Sequence, residues 1–198
     1  MKSSYILLGL LGLLVIFGFY GCNVNNSLVE KDTEVKKQWG QVEVQYQRRS
    51  DLIGNLIKTV EAEANFEKST LKEIIEARAN ATKVTLNVDD LSEENIAKIQ
   101  KAQEGLSGAL GRLLMVTENY PNLKTNAAFG ELRVALEGTE NRIAEERRKY
   151  NDVVGNFNIA VRKFPASIFA GMFGFKTAGF FHSDAGTENA PKVEFNIK

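Results

Sequence analysis

The charged side chains that could do chemistry in this chain of 198 residues lie in two long amphipathic stretches, residues 28–64 and 123–163. In the first stretch Arg49 falls on or beside the apolar seam, and Arg48 and Asp51 flank it. In the second stretch three carboxylates lie on or close to the seam: Glu137, Glu140 and Glu146. An arginine and a glutamate that face each other across two helices form an ion pair, so these six residues are the candidate site.

Helix geometry indicates which glutamate Arg49 meets. Counting back along both stretches from the turn near Tyr120 places Arg49 level with Glu137 or Glu140, and Glu146 takes their place if the helices slip. Two interpretations of Arg49 stay open. Its guanidinium either forms a partly buried ion pair, or snorkels, and so fixes the register of the helices, or it contacts a partner or ligand.

The residue counts exclude several classes of site. His182 is the only histidine and Cys22 the only cysteine, so a histidine-based metal cage, a cysteine-rich metal site and an internal disulfide cannot form. Lys and Arg together number 25, as do Asp and Glu, and this balance argues against a nucleic-acid binder. We therefore predict no catalytic residue, no cofactor, no metal and no small-molecule substrate.

Three glycines at positions 105, 108 and 111 suggest a phosphate-binding loop at first sight. They lie inside a helical pattern without a preceding strand, which such a loop requires. We expect them instead to let a neighbouring helix approach closely.

The N-terminus carries an uncharged apolar run, residues 5–21, which meets the lower limit of about 17 residues for a membrane-spanning helix, and the uncharged residues 22–28 can lengthen it. An uncleaved anchor is the main prediction. A lipoprotein lipidated at Cys22 is the alternative, because Gly21 precedes it, although bulky Phe19 and Tyr20 fit such a signal poorly. Lys2 and the amino group place the N-terminus in the cytoplasm and the remaining chain on the outer side.

Apolar residues recur at helical spacing in four stretches, residues 28–64, 67–84, 92–120 and 123–163. A long helix with one apolar stripe needs partner helices to cover it. The sequence predicts an all-α fold, namely an antiparallel up-and-down four-helix bundle with long helices, preceded by an N-terminal transmembrane helix and followed by an irregular C-terminal tail.

After Pro165 the composition changes to a Phe- and Gly-rich segment, residues 168–181, and then to a polar end that we expect to be loose. The aromatic side chains either pack over the base of the bundle or lie at the membrane interface. The predicted domains are an anchor at residues 1–23, the bundle at residues 24–165 and the Phe/Gly-rich segment with the polar tail at residues 166–198.

Several short pieces in this order resemble the LemA family of bacterial membrane-anchored proteins: QRRSDLI (47–53), YPNLK (120–124), TENRI (139–143), YN (150–151), FP (164–165) and FGF (173–175). The family pattern usually has proline after the first piece, whereas Gly54 stands here, which puts a kink at this point in doubt. The resemblance implies a helical bundle held to the membrane by one N-terminal helix, with no established enzymatic activity.

These observations predict a membrane-anchored helical-bundle protein of the bacterial envelope that acts as an interaction or scaffolding module. Its expected contacts are the membrane, through the N-terminal helix, and another envelope protein. The alternative is a membrane-surface or lipid-interacting protein that uses the C-terminal aromatic segment.

Overall fold

The computed structural model describes residues 2–63, 65–84 and 88–182, with side chains from residue 9 onward, and every regular element in these ranges is a helix. The all-α class is thereby confirmed. The six helices are α1 (Lys2–Glu61), α2 (Lys68–Lys83), α3 (Glu93–Thr117), α4 (Pro121–Thr125), α5 (Ala127–Arg162) and α6 (Ala166–Phe173). Ala64, the expected end of the first bundle helix, and the polar end, residues 183–198, lie outside the described residues.

Helix α1 runs for 60 residues without interruption, roughly 90 Å at about 1.5 Å per residue. It passes through the expected junction of anchor and bundle, because no proline or capping sequence interrupts it there. From Leu28 onward one face is buried at the spacing read from the sequence: Leu28, Val35, Trp39, Val42, Tyr46, Ile53, Leu56 and Val60. One helix therefore carries both the apolar N-terminal run and a face of the core.

Helices α1 and α5 pack against each other in opposite directions. The amide of Gln38 donates to the Glu146 carboxylate, while Arg49, farther along α1, meets Glu140, which lies earlier in α5. Helices α2 and α3 form a second antiparallel pair, since Glu73 of α2 pairs with Arg112 of α3 and the Phe66 ring just before α2 contacts the Tyr120 ring just after α3. Arg78 of α2 ties this pair to α1 by donating from Nε to the Ser50 carbonyl oxygen at 2.8 Å.

The buried side chains form two clusters along the length of α1. The aromatic core comprises Leu28, Val35, Trp39, Val42, Tyr46, Leu91, Ile96, Ile99, Ile143, Tyr150, Val154, Phe157, Val161, Ala170 and Phe181. The aliphatic core comprises Ile53, Leu56, Ile57, Val60, Phe66, Ile74, Ala81, Leu106, Ala109, Leu110, Leu113, Leu123, Phe129 and Leu136. Arg49 and Ser50 are buried on α1 between the two.

The fourth expected helix, residues 123–163, is divided in the structure, which corrects that prediction. Pro121 begins α4, where its fixed φ suits the first helical turn. Asn126 then has extended backbone, with φ −74° and ψ 115°, and its side chain accepts the Phe129 N–H at 3.2 Å. This N-cap hydrogen bond starts α5 as a new helix.

The expectation of an irregular C-terminal tail is also corrected in part. Residues 166–173 form α6, which ends at Gly174, where φ is +80°, a left-handed conformation that favours glycine. Residues 175–182 follow without regular secondary structure, and we call them the strap.

The three regularly spaced glycines of α3 do not mediate close packing. A Cβ at position 105 or 111 would have no atom within 4 Å, and one at position 108 would meet only Arg112 of the same helix, at 3.9 Å. All three lie on the exposed side of α3, so the prediction of a close helix approach there is wrong.

Candidate functional site

Arg49 forms the predicted ion pair, and its partner is Glu140. Its Nη1 donates to Glu140 Oε1 at 2.7 Å and to Ser107 Oγ at 3.0 Å, and Nη2 donates to the side-chain oxygen of Gln103. The Arg49 side chain is 2% exposed, whereas that of Glu140 is 39% exposed. The guanidinium therefore lies inside the protein while the carboxylate keeps contact with water.

This arrangement explains how the core accommodates a buried cation. The guanidinium also lies over the Tyr46 ring, with Cζ at 5.6 Å from the ring centroid, and such contacts stabilise cations. Its Nε has no hydrogen-bond partner. The paired groups come from α1, α3 and α5, so the ion pair links three helices at one level and disfavours other registers.

The other predicted site residues do not join this cluster. Glu137 and Arg48 are exposed, and Asp51 accepts a hydrogen bond from Gln47 at 3.0 Å on the surface of α1. Glu146 lies farther toward the C-terminal end of α5 than Glu140, and it pairs with Lys149 at 2.8 Å. The hydrogen bond from Lys149 lowers the pKa of Glu146, helped by the amide of Gln38. The structure thus unites only Arg49 and Glu140 among the six.

The aromatic core, which lies on the α6 side of this ion pair, contains polar atoms that are buried without a hydrogen-bond partner. Burial raises the pKa of Tyr46 to about 12 and raises the pKa of Tyr150 as well. Neither hydroxyl has a hydrogen-bond partner, and neither does Nε1 of Trp39. A neutral tyrosine tolerates this environment, whereas a tyrosinate does not.

The strap is held by three side-chain amides that the sequence reasoning did not single out. Asn158 pairs with the backbone of Ala178, and Asn151 pairs with the backbone of Phe181. In the same way, the amide of Gln100 donates to the His182 carbonyl at 3.0 Å and accepts its N–H at 3.1 Å. The seven-residue spacing of two asparagines on the core-facing side of α5 was the available signal.

Gly179 and Phe181 fit the strap to the helices. A Cβ at Gly179 would lie 2.6 Å from Cα of Glu93, and the Gly179 N–H donates to the Leu91 carbonyl at 2.8 Å. The Phe181 ring is buried, with ring centroids at 6.1 Å from Trp39 and 5.3 Å from Tyr150. His182 pairs with the Glu93 carboxylate, so the chain's only histidine belongs to the strap contact.

Directly before the strap in the chain, α6 packs on α1 where the apolar run of α1 ends. The Phe169 ring lies against Phe17 and Tyr20, at centroid distances of 4.6 and 5.6 Å, and it covers Gly21. Cys22, the lipidation candidate, is exposed beside this contact. Four apolar side chains of this region stay exposed, and we call them the α6 patch: Phe164, Ile168, Met172 and Phe173.

In residues 2–63, 65–84 and 88–182, no group of three or more His, Cys, Asp or Glu side chains is placed to hold a metal ion. The same part contains one helix, α1, with a segment long and apolar enough to cross a membrane. The features that stand out are therefore an ion pair, a clamped peptide segment and exposed apolar surface.

Comparison with known proteins places these features in a family. Residues 38–195 match the model of the LemA family. The chain is 28% identical over 174 residues to magnetosome protein MamQ of Magnetospirillum gryphiswaldense, covering 79% of this chain and 64% of the relative. It is 29% identical over 170 residues to magnetosome protein MamQ 2 of Paramagnetospirillum magneticum, covering 77% and 62%.

A more distant relative is protein LemA of Metamycoplasma hominis, 22% identical over 149 residues, covering 75% of this chain and 64% of the relative. The chain spans less than two thirds of the length of each of these relatives. The family match begins within α1, after the apolar run, and includes the ion pair, α6 and the strap. The resemblance read from the short sequence pieces is thereby confirmed, and the chain belongs to the LemA family.

Proposed function

We propose that this protein is a membrane-anchored, non-catalytic helical module of the bacterial envelope that holds another envelope protein near the membrane. One observation carries the proposal. The exposed apolar run and the buried core face belong to the same uninterrupted helix, α1. Leu14, Ile16 and Phe19 are 67%, 68% and 72% exposed, so these side chains need lipid to be removed from water.

The module is an up-and-down four-helix bundle of α1, α2, α3 and α5. Two opposed residue pairs along α1 and α5, and the pair of Glu73 with Arg112 between α2 and α3, support this arrangement. Contact surfaces for a partner are available on its outside, where Arg48 and Glu137 are exposed.

The anchor is uncleaved, the N-terminus is cytoplasmic and the bundle lies on the outer side. The contacts of Phe169 with Phe17 and Tyr20 support retention of the anchor. Cleavage before Cys22, as in a lipoprotein, would remove both ring contacts that Phe169 makes with α1. The orientation rests on Lys2 and the amino group before the apolar run.

Two measurements on intact spheroplasts test this proposal. In a Cys22→Ser background, cysteine at the exposed position Met115 or Val134 should react with a membrane-impermeant maleimide without lysis. A photo-crosslinking residue at Arg48 or Glu137 should capture the same envelope protein in repeated experiments, with the buried position Leu113 as the control. Labelling only after lysis would contradict the orientation, and absence of a reproducible crosslink would contradict the partner.

A second function, contact with the lipid surface, is favoured by the position of the α6 patch. Phe164 and Met172 are 76% and 68% exposed, and α6, which follows Phe164 and carries Met172, contacts the end of the apolar run of α1 through Phe169. Between residues 160 and 182 the chain carries Arg162, Lys163 and Lys176 but no Asp or Glu, which suits anionic headgroups.

Tryptophan fluorescence in vesicles with brominated lipids tests this second function. The native Trp39 is buried, so a tryptophan at Phe173 should be quenched by the bromines while one at Val134 should not. Equal quenching at the two positions would contradict lipid contact by α6.

A further inference from the structure

The groove that receives the strap recognises main-chain atoms. Asn158, Asn151 and Gln100 each donate to a strap carbonyl and accept a strap N–H, at distances from 2.8 to 3.1 Å. A side-chain amide offers the same donor and acceptor as a peptide bond, so it pairs with an extended segment as a neighbouring β-strand would. These six hydrogen bonds depend on the backbone of the occupant and not on its side chains.

The two asparagines of α5 match the repeat of an extended peptide. Asn151 and Asn158 are two helical turns apart, about 10.5 Å along the axis. They pair with Phe181 and Ala178, and three extended residues span about 10 Å. The helix therefore offers one amide to every third residue of a peptide that runs antiparallel to it.

Two positions of the occupant are selective. The position of Gly179 has no room for a side chain, because its backbone lies against Glu93. The position of Phe181 places an aromatic ring between Trp39 and Tyr150 and beneath the Arg147 guanidinium, whose Cζ lies 4.6 Å from the ring centroid. Between them, Phe180 is only partly buried. The groove thus selects glycine followed two residues later by an aromatic residue.

The strap does not use every polar group of the groove. Trp39 Nε1 and the Tyr150 hydroxyl belong to the two rings that enclose Phe181, and both are buried without a partner. Phenylalanine offers no polar atom to either. The strap therefore leaves two buried polar atoms beside its aromatic position without a hydrogen bond.

We propose that this groove between α3 and α5 is a peptide-binding site for an extended segment of a partner protein that contains glycine followed two residues later by an aromatic residue. The strap is its resident ligand, and the partner segment takes its place. This inference rests on the proposed function as an interaction module, and it assigns the binding surface and the chemistry of the partner.

Peptide binding to the full chain in detergent tests the assignment. The probe is a fluorescent peptide with the sequence of residues 174–182. The receptor is a Gly179→Val chain, in which the strap cannot dock while every side chain that lines the groove is the native one. This chain should bind the probe saturably and at least about tenfold more tightly than the wild-type chain, whose groove is occupied. Equal affinity of the two chains, or no binding by a Gly179→Val chain with native helicity, would overturn the proposal.

Matched variants locate the binding. Adding Asn151→Ala and Asn158→Ala to the Gly179→Val chain should weaken binding at least about tenfold, since four backbone hydrogen bonds are lost. The control is Asn156→Ala, an exposed asparagine of the same helix, which should change nothing. A probe with valine at the glycine position should not bind. If Asn156→Ala weakened probe binding as much as the Asn151→Ala and Asn158→Ala pair, the groove would not be the binding site.

Hydrogen exchange of the wild-type chain gives a test that does not depend on any variant. The amides of Ala178, Phe181 and His182 should exchange through local opening, faster than those of buried turns of α5. Exchange only through global unfolding would show that the strap cannot leave and would overturn the proposal. If the peptide binds but crosslinking in spheroplasts captures no partner, the proposed role in holding an envelope protein is refuted while the peptide-binding site stands.

Discussion

The two cores of this protein are closed in different ways. The aliphatic core is filled by side chains of helices and the short turns between them, such as Leu56, Ile74, Leu113 and Leu123. The aromatic core contains Trp39, Tyr46 and Tyr150 with unpartnered polar atoms, and it is completed by Phe181 of the strap. The comparison teaches that helix packing alone fills the aliphatic core, whereas the aromatic core also depends on the strap, which side-chain amides hold in place.

The largest expected effect is on the aliphatic core. Leu113 is fully buried, and Leu113→Ala should lower the free energy of unfolding by about 2–5 kcal/mol through lost burial and a cavity. Denaturant unfolding followed by circular dichroism measures this. The control is Met115→Ala, since Met115 is exposed on the same helix. Similar losses in the two variants would contradict the assignment of the core face of α3.

The next effect concerns the ion pair between the cores. Glu140→Gln should lower the free energy of unfolding by about 1–3 kcal/mol, because it leaves the buried Arg49 cation without a counter-charge. Arg49→Met should cost less, since it removes the buried charge and leaves Glu140 with access to water. Melting curves compare the two variants. A larger loss for Arg49→Met would contradict this account of the pair.

The free energy of unfolding should depend on pH through Tyr46 of the aromatic core. The pKa of Tyr46 is raised to about 12 in the folded protein, whereas an unfolded tyrosine ionises near about pH 10. The unfolded state therefore loses its proton first, and the contribution of the neutral tyrosine to stability falls as the pH rises from about 10 to 12. Unfolding curves at pH 9 to about 11 should show a smaller pH slope for Tyr46→Phe than for wild type. An unchanged slope would contradict a buried, neutral Tyr46.

The smallest effects concern glycines. Gly105→Ala should stabilise the protein by about 0.5–1 kcal/mol, because a Cβ there meets no atom within 4 Å and alanine is the better helix former. Gly54→Ala should gain less, since its Cβ would lie 3.1 Å from Nη2 of Arg78. Thermal melts compare the two. A destabilised Gly105→Ala variant would show that this face of α3 is in contact with something.

The helices and the ion pair were accessible from the sequence because both follow from the helical repeat. Spacing identifies the buried face of α1 from Leu28 to Val60. Counting residues brings Arg49 to the level of Glu137 or Glu140, and the structure selects Glu140. The break at Asn126 was missed because the apolar pattern continues across it, and only its side-chain cap divides the helix. The positions of α6 and the strap depend on contacts between residues far apart in sequence, such as Gln100 with His182, which no local pattern encodes.

The central claim is that one rigid helix, α1, joins the membrane segment to the bundle and holds the groove at a fixed distance from the membrane. Electron paramagnetic resonance between spin labels at Val15→Cys and Glu34→Cys, in a Cys22→Ser chain reconstituted in nanodiscs, tests it most directly. A continuous helix predicts a narrow distribution with a backbone separation of roughly 28 Å at about 1.5 Å per residue. A broad distribution, or one centred at a much shorter distance, would contradict the claim.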